Sequence, residues 1–69
     1  MFDEKRFRAQ CILAGVSMKD LAAKLNVNES TLYRKIKQDG SFTREEINIM
    51  IDFLKIEDLK EIFFTDKLV

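Results

Sequence analysis

Apolar residues recur at helical spacing along this chain, in short runs that each follow a residue able to cap a helix. At three places the position before the cap and the position four beyond it are both apolar, which is the spacing of a hydrophobic staple. The three sets are Val16, Ser17 and Leu21, then Val27, Asn28 and Leu32, then Phe42, Thr43 and Ile47. We therefore predict that three helices begin at Ser17, Asn28 and Thr43.

Two of these starts also carry the acidic partner of a capping box. Asp20 lies three residues after Ser17, and Glu46 lies three residues after Thr43. A helix over residues 3–14 is predicted before them, with Phe7, Cys11 and Ala14 at helical spacing, Ile12 beside them and Gly15 as its C-cap. The helix from Thr43 is expected to reach Leu54, and a fifth to run from Glu57 to about Phe63.

The composition supports an all-α fold. The 69 residues include no proline and two glycines, and the short apolar runs do not alternate as strands would. A chain of this length makes one domain at most, and no repeat or linker divides it. No apolar run approaches the roughly 20 residues that span a bilayer. We expect a soluble cytoplasmic protein with no membrane partner.

Catalysis and metal binding find little support in the residues present. The chain has no histidine, no glycine-rich phosphate loop and a single cysteine, Cys11, which is expected to be a small core residue. Glu45 and Glu46 are adjacent at a helix start, where capping and the helix dipole account for them. We expect no enzyme activity, cofactor, metal or small-molecule substrate.

The net charge is zero, yet the charges are segregated along the chain. Residues 17–38 hold five basic and two acidic side chains, whereas residues 43–69 hold four basic and seven acidic ones. Such an asymmetry can orient a protein on a polyanion, although nucleic-acid-binding domains usually carry a net basic footprint.

The second and third helices are separated by about three residues, "NVN" at 26–28, which forces them to cross steeply. Ala22 is the small residue expected where they approach, and Asn26 is expected to adopt a left-handed backbone. With the segment "AGVSMKDLAAKLNVNESTLYRKI" and the following "SFTREEINIM", the chain resembles the helix-turn-helix of phage Cro and CI repressors, the XRE family. Two positions depart from the family pattern: the turn glycine is Asn26, and the glutamine that opens the second helix is Met18.

The resemblance implies a compact five-helix, lambda-repressor-like DNA-binding domain over residues 1–69, with the helix-turn-helix at about 17–38. It implies a sequence-specific transcriptional regulator in a bacterial or phage-infected cell, bound to a two-half-site DNA operator as a homodimer. The rival interpretation is an antirepressor or modulator that uses the same fold to bind another repressor. Zero net charge and Met18 favour that rival, while Arg34, Lys35 and Lys37 oppose it.

On the third helix, Leu32 and Ile36 define the buried face, so Ser30, Arg34 and Lys37 centre the opposite face. The residues expected to contact bases are Asn28, Glu29, Ser30, Tyr33 and Arg34. Phosphate contacts are expected from Ser17, Lys19, Thr31, Lys35, Lys37 and Ser41, the last with the Gly40 backbone. The basic residues could instead form a solvated face, and Tyr33 could pack on the end of the second helix.

A dimerisation surface is predicted at about residues 47–69. Its members are Ile49, Phe53, Phe63, Phe64 and Leu68, together with Val69. The alternative is that most of these residues complete the core of the monomer.

Overall fold

A computed structural model describes residues 2–63 of the chain, and every regular element in that part is an α-helix. In chain order the helices are α1 (Glu4–Ala14), α2 (Met18–Leu25), α3 (Glu29–Lys37), α4 (Arg44–Phe53) and α5 (Leu59–Phe63). For these described residues, the prediction of an all-α fold with five helices is confirmed. The fifth helix begins at Leu59, two residues later than predicted.

The predicted caps explain where α2 and α4 begin. The Ser17 hydroxyl accepts from the Asp20 amide at 3.0 Å, and the Thr43 hydroxyl accepts from the Glu46 amide at 3.1 Å. Both capping boxes are complete. Asn28 occupies the N-cap position of α3, but its side chain makes no capping hydrogen bond. The helix α3 therefore begins after the joint at 26–28 without a capping bond from the Asn28 side-chain amide.

One apolar cluster joins the helices, with Phe7, Leu21, Leu32, Met50 and Leu54 completely buried in it. Ala22 of α2 is buried, as expected for the small residue near the tight joint. Ile12, which lies beside the stripe of Phe7, Cys11 and Ala14, is 78% exposed, and its neighbour Leu13 is 81% exposed. Only one face of α1 is covered, and it is the face of Phe7 and Cys11.

Phe2 is a core residue that the sequence interpretation overlooked. Its ring lies 5.3 Å from that of Phe7 and 5.5 Å from that of Phe63. Its amide donates to Asp39 Oδ1 at 3.0 Å, and the next amide, of Asp3, donates to the Ile62 carbonyl at 2.7 Å. The signal was present, because Phe2, the cap Asp3 and Phe7 form a fourth hydrophobic staple.

Phe63 was predicted to lie on a dimer surface, with the core of the monomer as the alternative, and the described structure places it in the core. It is 7% exposed, and its ring packs on those of Phe2 and Phe42 at 5.5 and 6.2 Å. A small domain buries too little surface to leave such an aromatic side chain outside its core. Phe64, Leu68 and Val69 lie outside the described residues.

Cys11 lies in the core, as expected. Burial raises the pKa of its thiol to about 11, and the nearby Arg8 charge offsets only part of this. The thiol is therefore protonated at neutral pH, and the nucleophilic thiolate is a minor species.

Candidate nucleic-acid interface

The joint between α2 and α3 is closed by backbone geometry at Asn26. This residue takes the predicted left-handed conformation, with φ 59°, and its amide donates to the Ala23 carbonyl at 3.1 Å. The Val27 amide donates to the Ala22 carbonyl at 3.0 Å. These bonds end α2, and Val27 packs against the core before α3 begins at Glu29.

An open recess of about 520 Å³ lies beside this joint, lined by Ala23, Asn26, Val27, Asn28 and Thr31. Thr31 is half-buried there. Thr31 therefore lies on the side of α3 that faces the joint. Asn28 and Glu29 are exposed at the N-terminal end of the helix.

The outer face of α3 is as the helical spacing predicts. Leu32 and Ile36 are buried, while Ser30 and Arg34 are exposed on the other side. The basic residues of α3 are Arg34, Lys35 and Lys37. Within residues 2–63, Arg34 is the only one of the three whose side chain has no carboxylate partner.

The prediction that Lys35 contacts phosphate does not fit its surroundings. Its ammonium lies 2.7 and 2.8 Å from the two carboxylate oxygens of Glu46, and its side chain is only 18% exposed. Glu46 Oε1 also accepts from the Thr43 amide at 2.9 Å. Lys35 therefore ties α3 to the first turn of α4, and its charge is neutralised within the protein.

The Glu46 carboxylate feels two opposing influences. Burial alone would raise its pKa, but the hydrogen bonds and charge of Lys35, together with the Thr43 amide, lower the pKa below its ordinary value of 4.5. A carboxyl with a lowered folded-state pKa stabilises the fold above the unfolded-state pKa, and this contribution is lost as pH falls through the folded-state pKa.

We predict that the free energy of coupling between Lys35 and Glu46 depends on pH in this direction. In a double-mutant cycle of Lys35→Met and Glu46→Gln, the coupling should be about 1 kcal/mol at pH 7. It should fall towards zero at a pH below the lowered pKa of Glu46, where this carboxyl is protonated. Urea unfolding of the four proteins at both pH values measures it, and equal coupling at the two would contradict the prediction.

The opposite flank of α3 faces α1, through two residues that the sequence interpretation did not select. Glu4 accepts from Arg8 Nε at 2.9 Å and from Lys37 Nζ at 3.2 Å. The Arg8 guanidinium lies over the Tyr33 ring, 5.7 Å from its centroid. The hydrogen bonds from Arg8 and then Lys37 lower the pKa of Glu4. Tyr33 thus lies beside Arg8 of α1.

The remaining residues predicted to contact phosphate lie at helix ends. Ser17 and Lys19 are exposed at the start of α2, although the Ser17 hydroxyl already accepts its capping bond. The Ser41 amide donates to the Lys35 carbonyl at 3.1 Å, so it closes α3 and is not free for another acceptor. The Ser41 hydroxyl remains exposed, 3.5 Å from Gln38 Oε1.

Two residues of the predicted dimer surface remain accessible to some degree. Ile49 is 36% exposed on α4, while Phe53 is half-buried against the core with the Lys24 ammonium 5.5 Å from its ring centroid. The most exposed apolar pair of the described residues is Ile12 and Leu13 on α1. The predicted surface therefore contributes little apolar area from residues 2–63.

Comparison of the chain with models of protein families, with curated proteins and with solved structures gave no match. Within residues 2–63, no helix has both the length and the apolar character needed to cross a bilayer.

Proposed function

We propose that this protein is a sequence-specific DNA-binding transcriptional regulator with a lambda-repressor-like helix-turn-helix formed by α2 and α3. The observation that supports it best is the face of α3 that carries Ser30 and Arg34. Both side chains are exposed, and Arg34 has no carboxylate partner among the described residues. An α-helix with such an exposed polar face fits the major groove of B-form DNA, which is about 12 Å wide.

The chemistry of this face assigns a role to each residue. Arg34 donates two hydrogen bonds to a guanine, the most common specific contact in the major groove. Asn28 and Ser30 donate hydrogen bonds to base edges or accept them. The Asn28 side-chain amide is available for this because it makes no capping hydrogen bond. Glu29 accepts from a cytosine amino group, and Tyr33 reaches the edge of the contact surface.

Phosphate contacts come from Ser17 and Lys19 at the start of α2 and from Lys37 at the end of α3. One such helix reads only a few base pairs, so binding to an operator requires a second subunit on a second half-site. The chain would act in the cytoplasm, where it meets DNA.

Selection of bound duplexes from a random pool tests the proposal. We expect a pool enriched in one short half-site that contains a guanine, repeated at a spacing close to one turn of DNA. Binding should also weaken as salt increases, because phosphate contacts release counterions. Failure to enrich any sequence, together with no salt-sensitive binding of random DNA, would refute it.

A protein-interaction module that binds another repressor is the second candidate. The ion pairs favour it, because Lys35 and Lys37 no longer count as free cations, and the net charge is zero. The exposed Ile12 and Leu13 would supply apolar contact area on α1. The same experiment separates the two functions, since this module would show no salt-sensitive DNA binding.

A further inference from the structure

Between α1 and α3, four side chains form a compact cluster at the edge of the proposed DNA-binding face. Glu4 and Arg8 lie one turn apart on α1, and Tyr33 and Lys37 lie one turn apart on α3. The carboxylate of Glu4 holds both cations, with Arg8 Nε at 2.9 Å and Lys37 Nζ at 3.2 Å. The cluster carries two positive charges and one negative charge.

All members of this cluster can be reached from solvent. The side chains of Lys37, Arg8 and Glu4 are 68%, 39% and 32% exposed, and Tyr33 is 40% exposed. The Arg8 guanidinium lies over the aromatic ring, which limits its rotamers and keeps it beside α3. Two cations are therefore oriented towards one anionic group, and that group is supplied by the protein itself.

We propose that this cluster is a binding site for a DNA backbone phosphate in which Glu4 is a competing internal anion. A phosphate and a carboxylate are bound by the same donors, and arginine fits both because its guanidinium presents parallel N–H groups. When a helix lies in the major groove, its flanks meet the sugar-phosphate walls. The flank that carries Tyr33 and Lys37 adjoins Arg34 on the same helix, so this site meets a phosphate when α3 reads bases.

Glu4 then acts on the affinity for all sequences and not on the choice of base. As long as it holds Arg8 and Lys37, a phosphate gains less from approaching them, because the ion pair must be exchanged. Non-specific affinity is therefore kept low, whereas base contacts from Arg34 are unaffected. This inference rests on the proposed DNA-binding function and adds to it a site that includes Arg8 of α1.

Glu4→Gln tests the site, and Glu61→Gln is the matched control. Both substitutions raise the net charge by one, and both remove an exposed carboxylate that pairs with an arginine of α1. Glu61 pairs with Arg6 at 3.2 Å, where α1 meets α5, and not beside α3. Binding of a random-sequence duplex is measured by fluorescence anisotropy at several salt concentrations, and thermal unfolding checks that each variant is folded.

We expect Glu4→Gln to bind random DNA about threefold to tenfold more tightly at low salt, with a salt slope steeper by about 0.9 for one added phosphate contact. Glu61→Gln should keep the wild-type slope. Adding Arg8→Gln to Glu4→Gln should return the slope towards the wild-type value.

Two results would overturn the inference while the proposed function stands. One is salt-sensitive DNA binding that Glu4→Gln leaves unchanged, and the other is an equal gain in both single variants, which would show an effect of net charge alone. If neither the wild-type protein nor any variant shows salt-sensitive binding, the proposed function fails and the phosphate site fails with it.

Discussion

Replacing Phe7 by alanine is expected to remove a large part of the free energy of unfolding at 25 °C. The Phe7 side chain is completely buried, and its ring lies 5.3 Å from that of Phe2 and 6.0 Å from that of Phe42. Truncating a buried phenylalanine costs about 3–5 kcal/mol, because apolar contacts are lost and a cavity remains. The free energy of unfolding of a domain of 69 residues is only about 3–10 kcal/mol.

Urea denaturation followed by circular dichroism measures this loss, and the same helix supplies the control. Leu13 is 81% exposed, so Leu13→Ala should change the free energy of unfolding by no more than about 0.5 kcal/mol. If Phe7→Ala were as stable as Leu13→Ala, the aromatic cluster would not be the centre of the core.

The helix starts could be predicted from the sequence because the residues that determine each start lie within a few positions of one another. The capping boxes at Ser17 and Thr43 each need only a capping residue and an acidic residue three positions later, and both boxes are formed. Phe2 shows how such a signal can be missed. Phe2 and Phe7 flank the cap Asp3 with the same spacing as the staple pairs at Ser17, Asn28 and Thr43, so this local pattern alone points to Phe2 as a core residue.

The charged contacts could not be predicted in the same way. Lys35 and Glu46 are 11 positions apart, and Glu4 and Lys37 are 33 apart. No periodicity links such residues, because their pairing depends on how α3 packs against α4 and α1. The helical wheel correctly placed Ser30 and Arg34 outside, yet it could not show which basic residues have a carboxylate beside them.

These ion pairs change how much each basic residue of α3 is expected to contribute to DNA binding. Of the three cations of α3, two are paired with carboxylates of other helices, so Arg34 is left as the main charged group that can read a base. Discrimination between sequences should therefore depend on one side chain more strongly than the composition of α3 suggests.

Arg34→Ala is accordingly expected to reduce affinity for a selected operator by about tenfold to a hundredfold. A bidentate contact between arginine and guanine contributes about 1–3 kcal/mol of discrimination. Affinity for random DNA should fall much less, since that binding comes from phosphate contacts. Anisotropy titrations with the selected operator and with a scrambled duplex at one salt concentration give the two ratios.

Lys37→Ala provides the contrast, because this residue is expected to contact phosphate. It should weaken binding to both duplexes by a similar factor, and it should lower the salt slope by less than a full contact, since Glu4 already holds the ammonium at 3.2 Å. Arg6→Ala removes an arginine from α1 at the α5 side and should leave both affinities nearly unchanged. Equal losses on operator and scrambled DNA for Arg34→Ala would show that Arg34 binds phosphate and that specificity resides elsewhere on α3.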